Sequence, residues 1–207
     1  MRAALLAAVL GTRRVAAAVP SFALDRFTAA ADQDIAAHVS DSGHSWIALL
    51  ANTGGATVLA GTGQVRGNST SGTTRQRLAV APPSADYTVE CDVAIASTTS
   101  GTASMGPTGR NLSTASTCYE VTYNTTTLNL ARVNSGSSTS LATVTIPALA
   151  IGEVKRCRLR MDGARIRVTW GGEPLIDIVD PSPLVAAGFA GIRLRANARI
   201  SNFIASA

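Results

Sequence analysis

The chain has 207 residues, 46 % hydrophobic but only 4 % aromatic and 15 % charged, with 18 Gly and a formal net charge of +5. That is about one domain with a short arm, not a two-domain enzyme, and the abundance of Ala, Thr, Ser and Gly argues against disorder, coiled coil and disulfide scaffolds. The charge sits at the two ends, with a balance of +3 over residues 1–26, −2 over 27–152 and +4 over 153–199.

Residues 1–22 open with Arg2, an apolar run and the pair Arg13-Arg14, followed by a second Ala/Val run. A basic start, an apolar middle and small residues near Ala16–Ala18 partly fit a secretory signal, but the paired arginines interrupt the apolar stretch. They favour a retained anchoring arm that carries Arg2, Arg13 and Arg14, with a signal peptide as the alternative. No run of about 18 apolar residues exists, so no helix spanning a membrane is expected.

From Ala23 to Ala207 the hydrophobic period is two, punctuated by Gly, Pro, Asn, Ser and Thr clusters every 8–12 residues, and helix signals are absent. This is the pattern of an antiparallel β-sandwich. Asp25, Asp32 and Asp34 form the one acidic grouping but lack a calcium-loop pattern, and His38 and His44 are the only imidazoles. Trp46, in the polar stretch Asp41 to Trp46, is the one aromatic in a loop-like setting. It serves as a lid over the core or as a sugar platform.

Tyr87, Val89, Cys91, Val93 and Ile95 alternate with Thr88, Glu90, Asp92 and Ala94, which places the first set in a core. Tyr119, Val121 and Tyr123 repeat the pattern, Asn124 to Thr126 supplies a turn, and Leu128 to Val133 and Leu141 to Ile146 follow, separated by a loop over Asn134 to Ser140. Cys91, Cys118 and Cys157 show no metal-ligand spacing, lie in apolar strand-like segments and read as buried free thiols. No metal or cofactor is expected.

The strongest hairpin signal is Val154 to Met161, Asp162-Gly163, Ala164 to Trp170, with Asp-Gly predicting a type I′ turn. That register faces Arg160 with Arg165 and Arg158 with Arg167, like charges that destabilise a ladder. Either acids on neighbouring strands offset them, with Glu90, Asp92 and Glu120 as candidates, or the arginine ladder meets an acidic or glycan partner. In the second case Arg156, Arg158, Arg160, Arg165 and Arg167 form the binding face, extended by Arg193 and Arg195. Of the 18 basic residues only Lys155 is not Arg; this reflects a GC-rich coding sequence or a need for planar guanidinium forks. The basic excess is small and lacks interleaved aromatics, so nucleic acid is not expected.

The stretches from Phe27 to Trp46, Pro82 to Ala96, Arg156 to Ile178 and Ala186 to Leu194 resemble concanavalin A-like jelly-roll domains of the laminin-G-like type, as found in bacteriophage virion proteins and bacterial surface proteins. The resemblance implies an all-β, two-sheet antiparallel jelly roll over residues 23–207 behind the N-terminal arm of residues 1–22. It also implies a non-enzymatic structural or adhesive virion component, a decoration, tail or fibre subunit. Such a subunit would be a homo-oligomer that contacts other virion proteins through the arm and the arginine hairpin, or host-surface glycans. The alternative is an exported bacterial carbohydrate-binding module, secreted or held at the cell surface. Laminarinase-like relatives resemble Glu-x-Asp-x-Glu on their active strand; here Glu90-Cys91-Asp92-Val93-Ala94 has Ala94 at the third carboxylate. Retaining hydrolysis needs a carboxyl pair, so that mechanism is not expected.

Overall fold

The computed structural model describes residues 20–49, 55–69, 72–96, 104–112, 116–196 and 198–207. Arg2, Arg13 and Arg14, and the arm role expected of them, lie outside the described residues. The strands run β1 (Ser21–Asp25), β2 (Gln33–Asp34), β3 (Trp46–Ala48), β4 (Ala56–Leu59), β5 (Gln64–Gly67) and β6 (Thr74–Leu78). They continue with β7 (Tyr87–Ile95), β8 (Gly106–Asn111), β9 (Cys118–Asn124), β10 (Thr127–Asn134) and β11 (Ser137–Thr145). The last are β12 (Val154–Asp162), β13 (Arg165–Trp170), β14 (Glu173–Val179), β15 (Phe189–Leu194) and β16 (Ala198–Ser206).

Two antiparallel sheets pack as a jelly-roll sandwich. Among the described residues one has nine strands in the order β14-β13-β12-β7-β16-β5-β4-β2, with β1 also on β16; the other has seven, in the order β11-β10-β9-β8-β15-β6-β3. Among the described residues the one helical piece is a 3-10 turn over Ile35–Ala37, capped by the Asp34 carboxylate. Strand β1 begins at Ser21 and pairs with β16 from its first residue, so the sandwich takes in Ser21 and Phe22 ahead of the expected boundary at 23.

Period-two patterning sorts the faces. Tyr87, Val89, Cys91, Val93 and Ile95 are buried in one core with Tyr119, Val121 and Tyr123 from the facing sheet. Tyr123 stacks on Trp170 across the sandwich, centroids 5.4 Å apart and planes at 12°. All three cysteines are free and buried.

Two turns differ from the sequence expectation. In the β12–β13 hairpin Asp162 pairs with Arg165, Arg160 with Arg167 and Leu159 with Val168, so the loop is Gly163-Ala164 and not Asp162-Gly163. A type I′ turn needs positive φ at both central residues, which would force Asp162 into the left-handed region. Here Gly163 alone takes it (φ 56°), as a type II′ turn requires, and Asp162 stays in the strand. Each residue's partner slips by two, which preserves the faces, so Cys157, Leu159, Ile166 and Val168 still point inward. Of the two arginine pairs expected, neither forms; a different one, Arg160 with Arg167, takes their place. The loop expected over Asn134 to Ser140 is also shorter, because Ser135-Gly136 turns tightly with both φ positive and the polar run from Ser137 becomes the edge strand β11.

One buried cation joins several loops. Arg110, 1 % exposed, donates from Nε to Ala85 O at 3.0 Å, from Nη1 to the carbonyls of Gly163 and Leu184, and from Nη2 to Asp86 Oδ1 at 3.2 Å. Its backbone N–H donates to Tyr87 Oη. A buried guanidinium is stable only when its donors are satisfied, and here the loops before β7, after β12 and before β15 supply the acceptors.

Candidate functional site

The arginine hairpin lies on the outer face of the nine-stranded sheet, largely neutralised by that sheet's own acids. Arg156 reaches Asp92 at 3.1 Å and Glu90 at 3.4 Å, Arg158 reaches Glu90 at 3.0 Å, Arg165 pairs with Asp177 and Arg167 with Asp162. Arg160 alone of the five has no ion pair among the described residues. Asp92 also accepts from Asn202 Nδ2 at 2.8 Å, so the partial Glu-x-Asp motif is occupied in holding the sheet surface together. Glu120, Arg193 and Arg195 do not join this ladder: Glu120 is on β9 and Arg193 on β15 of the other sheet, with Arg195 one residue beyond it.

Trp46 is not a platform. It is 2 % exposed, lies on β3 between Phe27 and Phe203 at centroid distances of 5.6 and 5.1 Å, and donates from Nε1 to Asp25 Oδ2 at 2.7 Å. The other Asp25 oxygen accepts from Phe27 N at 2.7 Å and meets His38 Nε2 at 3.0 Å. Burial pushes the Asp25 carboxyl up, and these hydrogen bonds only partly oppose it. Asp32 and Asp34 turn to Ala60 N and Ala36 N instead, so the three aspartates do not converge.

The polar feature that sequence reasoning missed is the outer face of the seven-stranded sheet. Because Tyr119, Val121 and Tyr123 point into the core, Glu120 and Thr122 point outward. Pairing then sets Ala131 and Thr108 beside Glu120, Asn129 beside Thr122 and Thr143 beside Asn129, and Gly106 and Arg75 on either side of Arg193. The middle of this face is a floor of small residues. A Cβ on Gly106 would meet Val121 O at 2.1 Å, and one on Gly191 would meet Gln76 O at 2.3 Å; side chains are excluded there by strand backbones.

Over this floor long side chains lie flat. Glu120, 1 % exposed, accepts from Arg75 Nε at 2.8 Å and from Arg193 Nη1, a clamp that fixes both guanidinium planes. On the far side Asn129 donates from Nδ2 to Ser140 Oγ at 2.6 Å and Thr143 Oγ1 at 2.8 Å, which leaves its Oδ1 to accept from outside. Between the two sides runs a trough of about 340 Å³ lined by Ser104, Thr122, Asn129, Thr143, Arg193 and Arg195, among others. Fixed donors and acceptors on either side of a shallow polar trough can grip a ligand rich in hydroxyls. Nearby, Arg77 stacks on Phe189 at 4.0 Å, which covers one face of that ring. The sequence does carry a signal for this face: Arg75-Gln76-Arg77 sets two arginines on one side of β6, and Arg193-Leu194-Arg195 sets two at the same spacing at the end of β15.

No protein-family model matches the chain, and no curated protein sequence matches it. Solved structures do. The chain is similar to the carbohydrate-binding module CBM66 from Bacillus subtilis, at TM-score 0.61 and 14 % identity, covering 87 % of this chain and 98 % of that one. It is similar to a Bacillus subtilis protein of unknown function with a galectin-like fold, at TM-score 0.64 and 13 % identity over 91 % and 98 %. It is also similar to the binding domain of botulinum neurotoxin serotype D, at TM-score 0.53 and 8 % identity, over 88 % of this chain and 48 % of that one. At these identities the likeness establishes the fold, a concanavalin A-like β-sandwich, and not the ligand.

Proposed function

We propose that this protein is a non-catalytic carbohydrate-binding jelly roll that holds its ligand in the trough on the outer face of the seven-stranded sheet, and that it acts outside the cell or at its surface. The observation that carries the reading is the pre-set polar array. The Glu120 clamp orients the guanidiniums, Asn129 is held by two hydroxyls, and the floor between them is kept low by Gly106, Ala131 and Gly191. Sugar hydroxyls both donate and accept, and the trough offers Arg donors, a Thr hydroxyl and an amide oxygen in fixed places. Recognition would rest on these planar polar groups, since the tyrosines and tryptophans are all buried, Trp170 being the most exposed at 7 %. A likeness to a carbohydrate-binding module supports the exported alternative over the virion role.

Affinity electrophoresis against a panel of neutral and acidic polysaccharides tests this. At least one polysaccharide should retard the protein, and Asn129→Ala or Thr122→Trp, which respectively remove an acceptor and fill the trough, should weaken retardation by about tenfold. Retardation by none, or equal retardation of all three proteins, would overturn it.

A further inference from the structure

Three pairs of arginines stand directly opposite one another in the described ladders: Arg75 with Arg193, Arg160 with Arg167 and Arg66 with Arg199. Like charges so placed oppose pairing, and the fold answers two of the three with a carboxylate. Glu120 binds both guanidiniums of the first pair, and Asp162 binds Arg167 of the second. Neither Arg66 nor Arg199 meets a carboxylate among the described residues; Arg199 Nη1 donates to Ala198 O at 3.0 Å.

Two acids on strands beside this pair serve elsewhere. Asp34 lies across β4, beside Thr57, where its Oδ1 caps the 3-10 turn and its Oδ2 lies toward Gly55 and Asn68. Asp92, two residues along β7 from the Ala94 that faces Arg199, is held by Arg156 and Asn202. Burial pushes the Arg199 guanidinium down, and the charge of Arg66 pushes the same way.

The two arginines line a cleft of about 350 Å³ with Thr57, Gly67, Asn68 and Ala196. Thr57 Oγ1 donates to Asn68 Oδ1 at 2.9 Å, and the Asn68 amide nitrogen lies toward Gly55 and Asp34 Oδ2. The charge in the cleft is therefore that of two guanidiniums, with no acid among its lining residues.

We propose that the Arg66–Arg199 cleft binds an oxyanion of the sulfate or carboxylate type, free in solution or carried on a polymer. The anion would take the place between these arginines that the Glu120 carboxylate takes between Arg75 and Arg193, accepting charge-assisted hydrogen bonds from both forks. The site is on the opposite sheet from the polar trough and does not depend on the glycan reading.

Thermal unfolding in sodium sulfate, against sodium chloride at matched ionic strength, tests it. The unmodified protein should gain midpoint in sulfate beyond that in chloride, and the R66Q/R199Q double variant should lose the difference. Calorimetric affinity for sulfate should fall about tenfold or more in R199Q alone. Thr57→Glu, directly opposite Arg66, installs an internal carboxylate; it should raise the midpoint without sulfate and abolish the sulfate response. N129A and T122W should leave that response intact, which separates this site from the trough. Retention by dextran sulfate but not dextran, lost in R66Q/R199Q, would identify a polymer-borne group, and a response to sulfate alone would identify a free ion. No sulfate-specific gain, or a gain unchanged in R66Q/R199Q, would overturn the proposal.

Discussion

Replacing Glu120 by Gln keeps the size of the side chain but removes the charge that holds Arg75 and Arg193 together. Glu120 is 1 % exposed at its side chain and the two arginines 15 % and 17 %, so water screens the change weakly. With the carboxylate gone, the two guanidiniums that shared it repel; unit charges about 6 Å apart do so by about 3 kcal/mol at an effective dielectric of about 20. One of the two hydrogen bonds is lost as well, because the Gln amide nitrogen is a donor facing an arginine donor, and the other keeps only a neutral acceptor. Breaking a buried ion pair by removing one partner costs about 3–5 kcal/mol in other proteins, and the two figures agree. For a domain of this size each kcal/mol moves the midpoint by about 2–4 °C, so E120Q should melt about 10 °C lower, read by calorimetry or by urea unfolding at constant m. Replacing all three residues by Leu or Met of similar volume should recover most of that loss, because the desolvation cost of the charges goes with them. A loss under about 1 kcal/mol in E120Q would refute the reasoning and mean that water in the trough solvates both arginines as well as the carboxylate does.

The Asp180 carboxyl gives a pH signature. Burial pushes its pKa up, but hydrogen bonds from Ser182 N, Tyr119 Oη and Arg132 outweigh burial and hold it below the ordinary 3.8. A lowered carboxylate pKa adds stability above 3.8 that is lost as pH falls through the folded value; Asp180→Asn should lower stability at neutral pH and flatten the acid limb of a stability–pH curve below about pH 4. The cysteines should be inert while the protein is folded. Burial raises all three thiols, Cys118 to about 12, so labelling by a thiol reagent at pH 8 should proceed only as fast as the chain opens, and three equivalents should react in denaturant; prompt reaction of the native protein would contradict the buried placement.

Much of the fold is legible in the sequence because one face of each strand must be dry. The alternation from Tyr87 to Ile95 and from Tyr119 to Tyr123 marks the core faces, and the turn at Thr125-Thr126 follows from its flanking strands. The errors come from features that alternation does not encode. The hairpin register turned on which residue would carry a positive φ, a choice between two turn types that both accept Asp-Gly. The strand β11 looked like a loop because an edge strand needs no apolar face; its residues Ser137 to Ser140 are exposed. Trp46 leaves a lid and a platform both open in sequence because its polar neighbours are visible there, whereas the Asp25 carboxylate that meets its indole N–H, 21 residues away, is not. The polar trough is hidden for the same reason: Glu120 on β9 comes near Arg193 and Arg75 only once β8, β15 and β6 line up beside it, and nothing local says that these strands are neighbours.

Arg110 bears on the order in which the molecule assembles. Its guanidinium takes carbonyls 25, 53 and 74 residues away, and none is within reach until the strands on both sides of the sandwich have docked. Long-range pairings of this kind fold slowly, over milliseconds to seconds, and the acceptors of Arg110 come together late. Its satisfied state thus belongs to the native side of the barrier. Shortening the side chain would then speed unfolding and leave the folding rate nearly unchanged, so that Arg110 governs how long the folded molecule survives more than how fast it is reached.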